Sequence, residues 1–282
     1  SVARGTTRRR TGTTTVAAPA DDVYKDAGKV EATITKAEGG NFEIAAHDWR
    51  YYAEKLRKAL HDIDENEIRP YLDLEAVIGA AFDVAHRLFG LTFTERNDLS
   101  LYNPEARAFD VTNENGEHVA LFIGDYFARP TKRGGAWMSG FRTQSKIDGK
   151  NVRPIVVNVL NCSKGAEGRP TLITLTDAKT LFHEFGHALH GMLTDVTYPS
   201  IAGTNVPRDF VEFPSQLYEH WLLRPETLAR FARHAETGAP IPAAVPDAAI
   251  ARELVGVAGP VTVTRDEGAV PGFTVRGADG EI

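Results

Sequence analysis

The chain has 282 residues, of which 42% are hydrophobic, enough apolar material to core one large domain or two small ones. Its formal net charge of −6, with no dominant basic stripe, argues against a polyanion as main partner, so no nucleic acid is expected. No apolar run reaches bilayer-spanning length, so no membrane association is expected. Cys162 is the single cysteine, which excludes an intrachain disulfide and leaves the cytoplasm as the expected location.

In chain order, residues 1–20 are rich in Thr and Arg and contain almost no feature of a core. Such composition is found in transit peptides, but without amphipathic spacing it reads as a disordered or atypical segment, taken as residues 1–30. A body of residues 31–240 follows, then a Gly- and Val-rich tail, 241–282, which either forms a strand pair or dangles. Within the body, Ile44, Trp49, Tyr52, Ala53, Leu56 and Leu60 recur at three and four, an amphipathic helix. The same period carries Leu74 through Phe89 and stops at Gly90. The period then falls to two: RAFDVT and EHVALFIGDYF flank NENG, where Asn115-Gly116 suits a tight hairpin turn. RPIVVNVLN (153–161) reads as a further strand, and the basic segment between reads as a loop with a short edge strand. A helix around LFHEFGHALHGML and another around RDFVEFPSQLYEHWLL complete the body. The fold class expected is α+β, mainly α with a small sheet.

The helix at 181–193 carries the chemistry. Thr176 reads as its N-cap, with Asp177 in the first turn beside the positive end of the helix dipole. At 100° per residue, Leu181, Phe182, Phe185, Ala188, Leu189, Met192 and Leu193 fall in one arc. His183, His187 and His190 fall in a narrow arc opposite, with Glu184 beside them. Residues four apart on a helix stand one above the other, so two imidazoles can meet one ion. A glutamate next to the first can reach a water on that ion without binding it. This is the H-E-x-x-H arrangement of zinc peptidases, with the glutamate as general base. A catalytic zinc usually takes a third protein ligand, and His190, Glu212 and Glu219 are the choices. The helical rise carries His190 too far from His183, leaving it as a hydrogen-bonding residue facing a cleft. Asp209, Glu212, Gln216 and Glu219 share one arc of the second helix, opposite Phe210, Leu217 and Trp221. That arc suits a ligand together with carboxylates that orient the ligating imidazoles.

These residues resemble the thimet oligopeptidase family of zinc metallopeptidases, which includes oligopeptidase A and the bacterial peptidyl-dipeptidases. HEFGHALH (183–190), Gly203, Asp209, EFPS (212–215) and Glu219 stand at the family's intervals. HDWRYYAEKLRKA, AFDVAHRLFGLTF and GTNVPRDFVEFPSQLYEHW are most similar to the peptidyl-dipeptidase branch. The resemblance implies one zinc ion per chain held by His183, His187 and Glu212, with Glu184 as base. It also implies Asp209 and Glu219 as supporting groups, a zincin-type catalytic core within a two-lobed helical protein, and short unfolded peptides as substrates. By the same analogy RGGAWMSGF (133–141) is an edge strand that pairs with substrate backbone. Arg129, Lys132, Arg133 and Arg142 are cations available to a substrate carboxylate. The chain departs from the family after the second helix, where members carry a histidine and several tyrosines. Here no tyrosine follows Tyr218, and beyond the second helix His234 is the only histidine. The expectation is therefore an incomplete chain, with a non-catalytic zinc-binding fragment as the alternative to a working peptidase.

Overall fold

A computed structural model describes residues 11–16, 65–242, 261–266, 272–277 and 280–281. The chain divides into two compact units, residues 1–64 with 247–282, and residues 65–246. In the first, β1 (Thr11–Val16), β7 (Val261–Asp266), β8 (Gly272–Gly277) and β9 (Gly280–Glu281) form an antiparallel sheet in the order β1-β7-β8-β9. The alternative of a strand pair in the tail is thus realised by β7 and β8, and part of the atypical N-terminal segment joins them as β1. The helix expected over Ile44–Leu60 lies outside the described residues.

The second unit opens with a single helical turn, α1 (Glu65–Ile68), and then α2 (Leu74–Phe89). α2 ends where the sequence predicts: Gly90 sits at φ 67°, and its N–H bonds the His86 carbonyl. A left-handed residue at this position closes a helix with little strain when it is glycine. Four strands follow a short one not foreseen from the pattern: β2 (Thr92–Glu95), β3 (Arg107–Thr112), β4 (His118–Phe127), β5 (Trp137–Arg142) and β6 (Ile155–Cys162). Their order is β2-β3-β4-β6-β5, with β4 and β6 parallel and the other pairs antiparallel. β2 has only four residues, too few for a period to register. The β3–β4 hairpin differs in detail from the reading of its turn. Gly116, at φ 77°, donates to the Asn113 carbonyl (2.9 Å), so Glu114 and Asn115 are the central residues and Gly116 the left-handed bulge. A second irregularity lies further in, where the register shifts by one between Val111 and Thr112.

One sheet face carries Ala106, Ala108, Ile123, Val157 and Val159. The other bears the helices. α3 (Leu175–Met192) packs on β4, β5 and β6. Its N-cap is Thr174, not Thr176: the Thr174 hydroxyl accepts from the Asp177 N–H (3.0 Å) and the Asp177 carboxylate accepts from the Thr174 N–H (3.1 Å). The reciprocal pair needs an acid three residues on, and only Thr174 has one. Phe82 from α2, Phe93 from β2, Phe122 from β4 and Phe185 from α3 form a ring cluster at centroid distances of 4.2–6.2 Å. Past α3 the chain makes α4 (Arg208–Val211), α5 (Phe213–Glu219) and α6 (Pro225–Phe231). The helix read as continuous around 208–223 is interrupted at Glu212, which precedes Phe213-Pro214. Proline lacks the N–H that would continue the ladder and disfavours helical backbone before it. The described residues divide between helix and sheet in similar lengths, so the α+β class holds without a helical majority in them.

Candidate metal centre and active site

α3 and α5 cross at Gly186. A Cβ there would stand 2.6 Å from Ser215 Cα and 2.9 Å from the Pro214 carbonyl, so only glycine lets the helices approach this closely. Tyr218, one turn on from Ser215 on the same face of α5, donates its buried hydroxyl to the Ala81 carbonyl of α2 at 2.7 Å. The crossing brings Glu212, at the start of α5, over the histidines of α3.

Glu212 Oε2 lies 3.2 Å from His183 Nε2 and 3.1 Å from His187 Nε2. One ligand atom from each of the three residues falls within 4.8 Å of the others. Tetrahedral bonds of about 2.0–2.1 Å place neighbouring ligand atoms about 3.3 Å apart, close to both measured separations. The proton positions point the same way. His183 Nδ1 faces Glu219 Oε1 at 2.5 Å. An ionised carboxylate only accepts, so Nδ1 carries the hydrogen and Nε2 keeps its lone pair toward Glu212. A cation between His183 Nε2 and Glu212 Oε2 would satisfy that lone pair. The residues fit a zinc ion by donor type and spacing, and His183 fits also by tautomer.

The surroundings fix these groups. The hydrogen bond that His183 donates to Glu219 raises His183 above the ordinary histidine range, against the opposing effect of burial. Burial would raise the Glu219 carboxyl, but hydrogen bonds from His183 and Lys179 outweigh it and hold Glu219 below its usual value. Burial lowers His187. Ser215, fully buried, donates its hydroxyl to the Glu212 carbonyl (2.8 Å) and lies 3.1 Å from Glu212 Oε2, a brace that sequence reasoning missed. Its place three residues after Glu212 is the available signal, since a serine there reaches back to that residue.

Glu184 is 7% exposed, between α3 and the edge strand β5. Burial raises its carboxyl above the ordinary range, partly offset by the His183 charge and by the Met138 backbone N–H. Met138 of β5 lies close enough for its backbone N–H to favour the ionised carboxylate, an influence carried by backbone and invisible as a residue type. Asp209 is exposed on α4 and, among the described residues, makes no hydrogen bond to either imidazole. The buried Nδ1 atoms of His187 and His190 have no partner among the described residues. His190 packs against Phe210 at 6.1 Å between ring centroids, on the side away from Glu184.

Two of the four cations offered to a substrate carboxylate are already engaged. Arg129 holds both oxygens of the buried Asp125 (2.7 and 2.8 Å), and Lys132 bonds the same carboxylate and the carbonyls of Asp125 and Phe127. Arg133 lies over Trp137, 5.0 Å from the ring centroid. Arg142 bonds the Arg153 carbonyl through Nε alone (2.7 Å).

Comparison with known proteins adds the family. The chain is similar to dipeptidyl carboxypeptidase of Escherichia coli (strain K12), 45% identical over 214 residues, covering 76% of this chain and 31% of that protein. It is similar to oligopeptidase A of the same strain, 40% identical over 211 residues (74% and 31%). Organellar oligopeptidase A of Arabidopsis thaliana is 38% identical over 202 residues (69% and 26%). The chain thus spans about a third of the length of these relatives. Among the described residues no helix is long and apolar enough to cross a membrane. The model of peptidase family M3 matches residues 13–264, and the chain belongs to that family.

Proposed function

We propose that this chain carries the zincin-type catalytic core of a zinc-dependent peptidase that hydrolyses short peptides. The observation that carries this reading is the convergence of His183 Nε2, His187 Nε2 and Glu212 Oε2 at 3.1–3.2 Å beside the buried Glu184. His183, His187 and Glu212 would hold the metal, and Glu219 would orient His183. When bound, a zinc ion supplies Lewis-acid polarisation of a scissile carbonyl and acidifies water to a pKa of about 7.

The protein's own groups do the rest. The substrate lies as an added strand along the free edge of β5, a common use of an unpaired sheet edge. This holds the scissile bond next to Met138 and Glu184. Glu184 accepts a proton on a carboxylate oxygen from the attacking water and returns it to the leaving amine nitrogen. Its raised affinity for a proton, a consequence of burial, matches it to both halves of that transfer.

Glu184→Gln separates these roles. Elemental analysis should find zinc retained at one ion per chain, while peptide hydrolysis falls by about 10²–10⁴-fold, the range for a general acid–base group. Loss of the metal instead would make Glu184 a ligand and overturn the reading. Absence of stoichiometric zinc from the wild-type chain would do the same to the metal centre.

A further inference from the structure

A cavity of about 290 Å³ opens beside β5 at the C-terminal end of α3, and the proposed mechanism makes no use of it. Its floor depends on a pair of glycines. Gly203, at φ 55°, lies so close to α3 that a Cβ would stand 3.0 Å from Gly191 Cα, and this approach brings the segment around residues 202–205 under the helix end. One wall is Gln144, fully buried, with its amide committed to Asn151 Oδ1 (3.3 Å) and the Val196 N–H (3.0 Å). It shapes the cavity and has little left to offer a ligand.

The remaining wall is polar, with Thr194, Thr204 and Asn205. Arg142 is the one ionised side chain among the described residues that line it, and no carboxylate joins it. Nε of Arg142 is tied to the Arg153 carbonyl, which leaves the terminal nitrogens for a ligand. The Thr204 hydroxyl has no protein partner among the described residues. A guanidinium and a hydroxyl facing one space favour an acceptor, a carboxylate or a carboxamide.

Position connects this cavity with the reaction. Met138 packs its side chain on Gly191, so Met138 and Gly140, two apart on β5, lie on the sheet face turned toward α3; the register shift between Gly140 and Arg142 interrupts the alternation, and Arg142 borders the cavity just past it. A peptide strand laid on β5 places every second side chain on that face, spaced about 6.6–7 Å apart. The residue beside Met138 is next to Glu184, and its neighbour on the same face reaches the cavity. We infer that this cavity is a subsite for an acidic or carboxamide side chain of the peptide, about two residues from the scissile bond, with Arg142 setting the preference. This rests on the reading of β5 as the strand that receives the peptide.

Binding tests it without turnover. Zinc-loaded Glu184→Gln chain is titrated with fluorescein-labelled alanine hexapeptides carrying one Asp, Asn, Leu or Lys at each position in turn, and anisotropy is followed. At one position the Asp peptide should bind about tenfold more tightly than the Lys peptide, the effect of one charge-assisted contact. Arg142→Glu in the same background should invert that order at that position alone, and Arg142→Lys should preserve it. Arg142 is exposed, so neither change threatens the fold. Binding of all peptides with a charge preference indifferent to Arg142 would overturn the subsite and leave the strand reading intact. Failure of every peptide to bind would overturn both.

Discussion

At the level of single residues, the proposed metal centre separates what a side chain would bind from what holds it in place. Glu219 touches no ligand atom of the centre, yet it fixes the His183 tautomer from 2.5 Å. Glu219→Gln should lower zinc affinity by about 10–100-fold, measured by competition with a chelator, while the melting temperature changes little. A second residue-scale prediction concerns Asp125. Burial alone would raise this carboxyl, but hydrogen bonds from Arg129, Lys132 and Tyr102 prevail and lower it. A lowered folded value means that the stabilisation is fully present above the unfolded carboxyl range, near pH 4, and is lost as pH falls through the folded value. Asp125→Ala, which leaves two cations without their carboxylate, should cost about 3–5 kcal/mol in chemical denaturation at pH 7. The difference from wild type should shrink as pH is lowered. The sequence singled out Glu219 because it shares a helical arc with Glu212. It was silent on Asp125, because alternation along β4 says which face a residue takes and not which loop cation returns to it.

Among the elements, the decisive contact is the crossing of α3 and α5. Gly186→Ala should destabilise the protein by about 1–3 kcal/mol, read from the denaturant midpoint. It should also weaken zinc binding, because Glu212 and its brace Ser215 ride on the helix that must move. A mere loss of stability with unchanged metal affinity would show that the crossing does not set the ligand geometry. The cap of α3 gives a milder test: Thr174→Ala should cost about 1 kcal/mol, and Thr176→Ala much less. Here the helices at 74–89 and 175–192 were legible from their period and the end of the first from Gly90, whereas the Thr174-x-x-Asp177 pair that opens the second was passed over for Thr176. The break at Glu212 was written in Phe213-Pro214, yet the polar arc, read as one helix, hid it.

For the second unit as a whole, the exposed apolar residues stand out. Leu88, Phe89, Leu193, Phe210, Phe213 and Leu217 are 39–57% exposed and border a groove of about 370 Å³. The apolar residues opposite the polar arc, Phe210 on α4 and Leu217 on α5, are exposed, while Ser215 and Tyr218 of α5 are buried. A patch of this kind should bind an environment-sensitive apolar dye, and Phe213→Ser with Leu217→Gln should reduce the signal several-fold without altering zinc content. By itself the sequence determined the helical periods, the two hairpin strands, the stop at Gly90 and the H-E-x-x-H spacing, which rest on local pattern, while Glu212 as third member of the proposed metal-binding set is what the family resemblance implies. Only the tertiary structure decided that β6 lies between β4 and β5, and that the helix crossing at Gly186 sets Glu212 beside the Nε2 atoms of His183 and His187. Each is a contact between segments distant in sequence, made through backbone or through a crossing angle, and neither leaves a periodic trace in the chain.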